Sequence, residues 1–124
     1  QYERPLITIS LKHENKTINS LALIDSGADF NIFHSDLADI LGIDLNTLKK
    51  IEFGGIKKDN EPCKGYVAAL ELGINHEFLD CLVIFSKDIS PDGYGILGQN
   101  GFFDHFKVSF DYSSNNIYLK KTKK

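Results

Sequence analysis

Residues 21–33 read LALIDSGADFNIF, an apolar run that climbs to Asp25, breaks at Ser26-Gly27 and resumes through Phe30, Ile32 and Phe33. The pattern predicts two short strands with an acid at their junction. A carboxylate removed from water is costly unless it is paired or hydrogen-bonded. Any fold available to this chain must therefore compensate Asp25 or make use of it.

Strand signals dominate the rest. LITISL (6–11) alternates apolar and small polar residues, KHENKT turns, and INSLALID returns as the second strand of a hairpin. After FNIF a short helix is expected, capped by Ser35 with Asp36 in its first turn, burying Leu37, Ile40 and Leu41 on one face and stopping at Gly42. KKIEFGGIKKDNEPCKGYVAALELGI (49–74) reads as two strands around a polar tip, and HEFLDCLVIF as a strong strand bounded by the SKDISPDG loop. YGILG is a short apolar run, QNGFFDHF predicts a helix of one to two turns, and KVSFDY with NIYLKK closes the chain as a hairpin. Hairpin, strand, glycine break and helix thus occur around Asp25 and again around Gly98, an echo that suggests two similar halves. The sum is a mostly β domain, a barrel or sandwich with two short helices.

Composition narrows the function classes. With 42 % apolar and 25 % charged residues the chain has an ordinary globular balance. Its net charge of −3, with lysines scattered until the last few residues, lacks the basic face of a nucleic-acid binder. No apolar run approaches the roughly 18 residues of a membrane helix, and no secretory leader opens the chain. A first residue of Gln1 fits a processed product or a piece of a longer precursor. Cys63 and Cys81 form neither a disulfide framework nor, with His13, His34, His76 and His105, a zinc set, so a reducing, cytoplasmic compartment fits them. Asp44, Asp59, Asp88 and Asp92 lack the spacing of a calcium loop. His105 beside Asp104 and Asp111 invites an Asp-His reading, but no serine or cysteine nucleophile stands in a recognisable setting. His34 is expected at the helix entrance in solvent, and Phe102, Phe103, Phe106 and Phe110 as core around the second helix.

LIDSGAD (23–29) resembles the catalytic turn of aspartic proteases, usually Asp-Thr/Ser-Gly-Ala, and ILGQN (96–100) resembles the apolar-apolar-Gly segment that completes their psi-shaped core. With ERPLITISL (3–11) these segments follow the order of the single-domain, retroviral type, the retropepsin-like family. The resemblance runs from about residue 3 to about residue 120 of a single domain, 1–124, with 121–124 a flexible basic tail. It implies an all-β acid-protease barrel with a psi-loop core, a flap hairpin and one or two short helices. It also implies an aspartic endopeptidase without metal or cofactor. Two aspartates, one from each half of the enzyme, would activate water between them. The chain has no second Asp-Thr/Ser-Gly, since PDGYG (91–95) lacks the hydroxyl residue. The partner acid must then come from a second copy, which makes the expected enzyme a homodimer acting on a peptide or protein.

The remaining roles are those the resemblance implies. Ser26 would brace the two turns across the dimer and Gly27 would allow the close approach of substrate backbone. Asp29 would receive substrate N–H groups. Ala28 offers the carboxylate no hydroxyl, which predicts a less acidic activity optimum than in relatives with Ser or Thr there. The flap is expected near Glu52–Lys64, with Phe53, Gly54, Gly55 and Ile56 rising to a tip at Lys57–Glu61. Ile32, Ile84 and Ile96 would line subsites. Gln99 stands where retroviral enzymes carry an arginine, and Arg4, the only arginine, is expected to pair with Asp29 across the interface. The competing expectation is a retropepsin-like module that binds peptides or dimerises with little turnover.

Overall fold

The alternating run near the start of the chain forms a long hairpin. β1 (Leu6–His13) and β2 (Lys16–Ile24) pair antiparallel, with Leu6 opposite Leu23 and His13 opposite Lys16. Ile9 and Leu11 are buried while Thr8 between them is exposed, as period-two patterning requires. The computed structural model describes residues 5–56, 61–90, 93–111, 113, 114 and 116–122. Arg4 and the expected flap tip at 57–60 lie outside them.

FNIF contributes only a short strand, β3 (Ile32–His34), followed by a one-turn helix, α1 (Asp36–Ile40). The helix differs from its expected form in two respects. Ser35 makes no side-chain cap and is itself buried. The Nδ1 of His34 instead accepts the Asp36 N–H at 3.1 Å, so His34 is no solvated bystander: its side chain is only 16 % exposed. The buried face is Ala38 and Leu41 with Leu37 against the core, whereas Ile40 is 57 % exposed. Five residues give too few turns for a full apolar stripe, and the tertiary packing selects which residues turn inward. Gly42 ends the helix at φ +74° as expected.

A single-turn 3-10 segment (Leu45–Thr47), started by the Asp44 carboxylate accepting the Asn46 N–H, leads into the largest meander. It comprises β4 (Lys49–Ile56), the 13-residue β5 (Pro62–Ile74) and β6 (Glu77–Ser86), all antiparallel. β7 (Gly95–Leu97) is short, and β8 (Phe106–Asp111) with β9 (Asn116–Lys121) forms a separate hairpin. QNGFFDHF does not become a second helix. Residues 101–105 form successive turns, with Phe103 and Asp104 donating back to the Gly98 and Gln99 carbonyls and Phe106 to that of Phe102. Gly101 at φ +111° breaks the helical path. Phe102 and Phe106 do enter the core and Phe103 packs against it, but Phe110 is 40 % exposed on β8.

The seven-stranded sheet has the order β1-β2-β7-β3-β6-β5-β4, and β1 also pairs with β5. That extra pairing closes β1, β2, β7, β3, β6 and β5 into a barrel, with β4 attached outside along the first half of β5. Phe33, Phe85 and Phe102 fill the interior with no exposed surface. Val108, Ile117 and Leu119 of the β8–β9 hairpin pack against the same core. The decisive detail is at β7. β2 and β3 are consecutive in the chain but not neighbours: β7 lies between them, parallel to β2 and antiparallel to β3. This psi-shaped crossing brings the loop after β2 against the loop after β7.

Candidate active site

Asp25 leaves β2 at that crossing, and its backbone N–H donates to the Leu97 carbonyl on β7 at 3.0 Å. The turn folds back so that the Gly27 N–H donates to Asp25 Oδ1 at 2.9 Å and the Ala28 N–H to the Asp25 carbonyl at 3.1 Å. A Cβ on Gly27 would stand 3.2 Å from Asp25 Oδ1, so glycine keeps this approach open. Asp25 is half-buried in the single chain, with Ser26 and Gly27 exposed beside it. The opening problem is thus partly answered within the chain: one carboxylate oxygen receives a backbone donor and the group stays in contact with solvent.

The β7 side of the crossing fixes the rest of the loop. Gln99 N–H donates to the Ala28 carbonyl (2.9 Å), and Asn100 donates to the Asp29 carbonyl from both its backbone N–H (2.8 Å) and its side-chain Nδ2 (3.0 Å). Gln99 Nε2 reaches the Ser26 carbonyl at 2.8 Å. The glutamine thus braces the turn that carries Asp25, and its contact is with Ser26, not with Asp29. Beneath the loop, fully buried Asn31 accepts the Gly98 N–H on Oδ1 at 3.0 Å and directs Nδ2 toward Cys81 Sγ at 4.0 Å. Asn31 was not singled out from the sequence. A polar residue alternating with Phe30 and Ile32 in an otherwise apolar strand was the available signal.

Next to this loop is a cleft of about 330 Å³. Gly27, Ala28, Asp29, Phe30, Ile32 and Ile96 form one side. Phe53, Gly54 and Cys63 of the β4–β5 hairpin and Ile89 form the other. Most of the expected subsite residues meet here. Ile84 does not: it is 2 % exposed, paired with Ile32 behind the cleft surface. Phe30, Cys63 and Ile89 are additions, and the Asp25 side chain adjoins the cleft through Gly27 without lining it. Two larger concavities, about 490 and 520 Å³, lie elsewhere and neither contains the Asp25 turn.

The hairpin over the cleft is bent. Phe53 faces Cys63 but Ile56 faces Pro62, so the strands slip between them at Gly54-Gly55. Its base is tied down: Ser86 Oγ donates to the Lys64 carbonyl (2.5 Å), and the Lys64 N–H donates to Asp88 Oδ2 (2.8 Å). A hinged element above a cleft, anchored at its root, is the arrangement a flap requires.

Comparison with solved structures decides what this architecture is. It superposes on a retropepsin-like aspartic protease from Rickettsia conorii with a TM-score of 0.60, covering 96 % of each chain at 16 % identity. The chain has the retropepsin-like fold. The EIAV protease complexed with an inhibitor also matches, with a TM-score of 0.52 over 77 % of this chain and 82 % of that one, at 14 % identity. No family model and no curated protein matches by sequence. At such identity the retropepsin-like fold is carried by backbone geometry, the psi crossing above all.

Cys81 supplies a test of how tightly the crossing is packed. Burial pushes its thiol up to about 12 from an ordinary 9.0, aided by the nearby Asp104 and Asp80 charges and opposed by the Asn31 amide. The folded chain therefore holds the neutral thiol where the unfolded chain would lose its proton. Stability from this source is complete below about pH 9.0 and is lost as pH rises toward about 12. The slope reaches about 1.4 kcal/mol per pH unit. Urea unfolding between pH 8 and 11 is expected to show this decline, and Cys81→Ala should flatten it relative to the parent chain.

Proposed function

We propose that the chain is an aspartic endopeptidase whose active site forms when two copies meet at the Asp25 turn. The observation that carries this reading is the half-buried Asp25, held by the Gly27 N–H at a psi crossing beside a flap-covered cleft. One chain supplies one such acid. Ser26, Asp29 and Gln99, the expected interface residues, are all exposed in the single chain and available to a partner.

In the dimer, Asp25 and the partner subunit's Asp25 share one proton, because two carboxylates in contact do not both ionise cheaply. The ionised one removes a proton from water as its oxygen attacks the peptide carbonyl. The protonated one donates to the carbonyl oxygen, giving a neutral gem-diol. Collapse breaks the C–N bond, the leaving nitrogen takes a proton from the dyad, and the shared proton is restored. The substrate lies extended between floor and flap, hydrogen-bonded as an added strand with side chains alternating into pockets.

Sedimentation velocity and peptide cleavage measured over the same concentration series test this. Specific activity is expected to rise with concentration and to track the dimer fraction. Turnover proportional to total protein in a range where only monomer sediments would refute the reading.

A further inference from the structure

The cleft presents one charge on an otherwise uncharged surface. Asp29 is its only lining residue with a carboxylate or an amine. Its backbone is immobilised by the two donors of Asn100, at 2.8 and 3.0 Å. Its side chain is exposed and has no ion pair or hydrogen bond among the described residues. Gln99, which packs on the same loop, is neutral and directs its amide to Ser26. The structure therefore holds a fixed anion, with no cation on it, beside Phe30, Ile32 and Ile96.

Resting on the reading of this cleft as a peptide site, we infer that Asp29 selects substrates carrying a basic residue beside the apolar residues around the scissile bond. A lysine or arginine fits both parts of the surface: its methylene stem lies along the apolar side chains while its head group meets the carboxylate. The apolar walls thin the water around the pair, which makes the charge-assisted hydrogen bond stronger than its counterpart on an open surface. A glutamate at the same place is repelled. Twofold symmetry repeats Asp29, so the preference applies on both sides of the cut bond.

The test uses Asp25→Asn protein, which cannot consume the probe, and fluorescein-labelled peptides with an apolar core. Lys, norleucine or Glu is placed in turn at each flanking position. Fluorescence anisotropy is expected to show the best Lys peptide binding about tenfold or more tighter than its norleucine counterpart, with Glu weakest. Added salt should narrow the gap. Introducing Asp29→Asn should erase it, and since this exposed side chain supports nothing else, the variant should melt with its parent. Equal binding of Lys and norleucine peptides, no binding of any peptide, or a Lys preference that survives Asp29→Asn overturns the inference. So does a preference that appears only with Arg4→Ala, which would show the place already filled. Cleavage of the same peptides by the parent chain is scored separately. Lys-selective binding without cleavage sinks the endopeptidase reading and leaves this one standing; cleavage indifferent to Lys does the reverse.

Discussion

Asp25→Asn is expected to lower peptide hydrolysis by about 10⁴-fold or more while leaving the fold intact. The substitution keeps the shape of the side chain, and its Oδ1 can still accept the Gly27 N–H that now lies 2.9 Å from the carboxylate. What disappears is the only group that can exchange a proton with water at this position. Stability should change by no more than about 1 kcal/mol, because the half-buried site loses a charge but no hydrogen bond. Mixing gives a sharper result. If both acids of a dimer are needed, randomly paired equal amounts of parent and variant retain about a quarter of the activity of the parent dimers. A chain acting alone would retain about half. Initial rates on one peptide, with melting temperatures for both proteins, distinguish these outcomes, and undiminished hydrolysis by the variant would place the chemistry elsewhere.

The parts of this architecture that were legible in the sequence are those fixed by local pattern. Period-two alternation gave β1 and β2, the long apolar run gave β6, and Asp25-Ser26-Gly27 marked the turn because an acid and a glycine interrupt an apolar strand there. What was not legible depends on neighbours distant in sequence. QNGFFDHF has helical spacing, yet its carbonyls and N–H groups are claimed by the loop around Ala28 and Asp29, and Gly101 turns the chain away. Ile84 reads like Ile32 and Ile96 in composition, but its pairing with Ile32 buries it behind the cleft. Asn31 looked like a break in a strand, whereas in the folded chain it replaces a missing backbone partner at the crossing. Gln99 could be seen to be neutral from the sequence, but its contact with Ser26 could not.

Gly98→Ala should be among the most damaging single-methyl changes available, costing about 3 kcal/mol or more. A Cβ at Gly98 would stand 2.5 Å from the Phe30 carbonyl oxygen, 2.7 Å from that of Ala28 and 2.8 Å from the Phe30 nitrogen. All three are backbone atoms, so no rotamer change relieves them. Relief requires the Asp25 loop and the β7 loop to separate, and that strains the Gly98–Asn31, Gln99–Ala28 and Asn100–Asp29 hydrogen bonds together. Each is worth about 1 kcal/mol, and overpacking adds to their loss. Gly54→Ala is the matched control: a Cβ there meets nothing within 4 Å, and stability should stay within about 0.5 kcal/mol of the parent. Urea midpoints for the two variants give the comparison directly. Should Gly98→Ala unfold within 1 kcal/mol of Gly54→Ala on this scale, the two loops would have to be loosely joined. A loosely joined crossing could not hold Asp25 in a fixed position for a symmetric partner to meet.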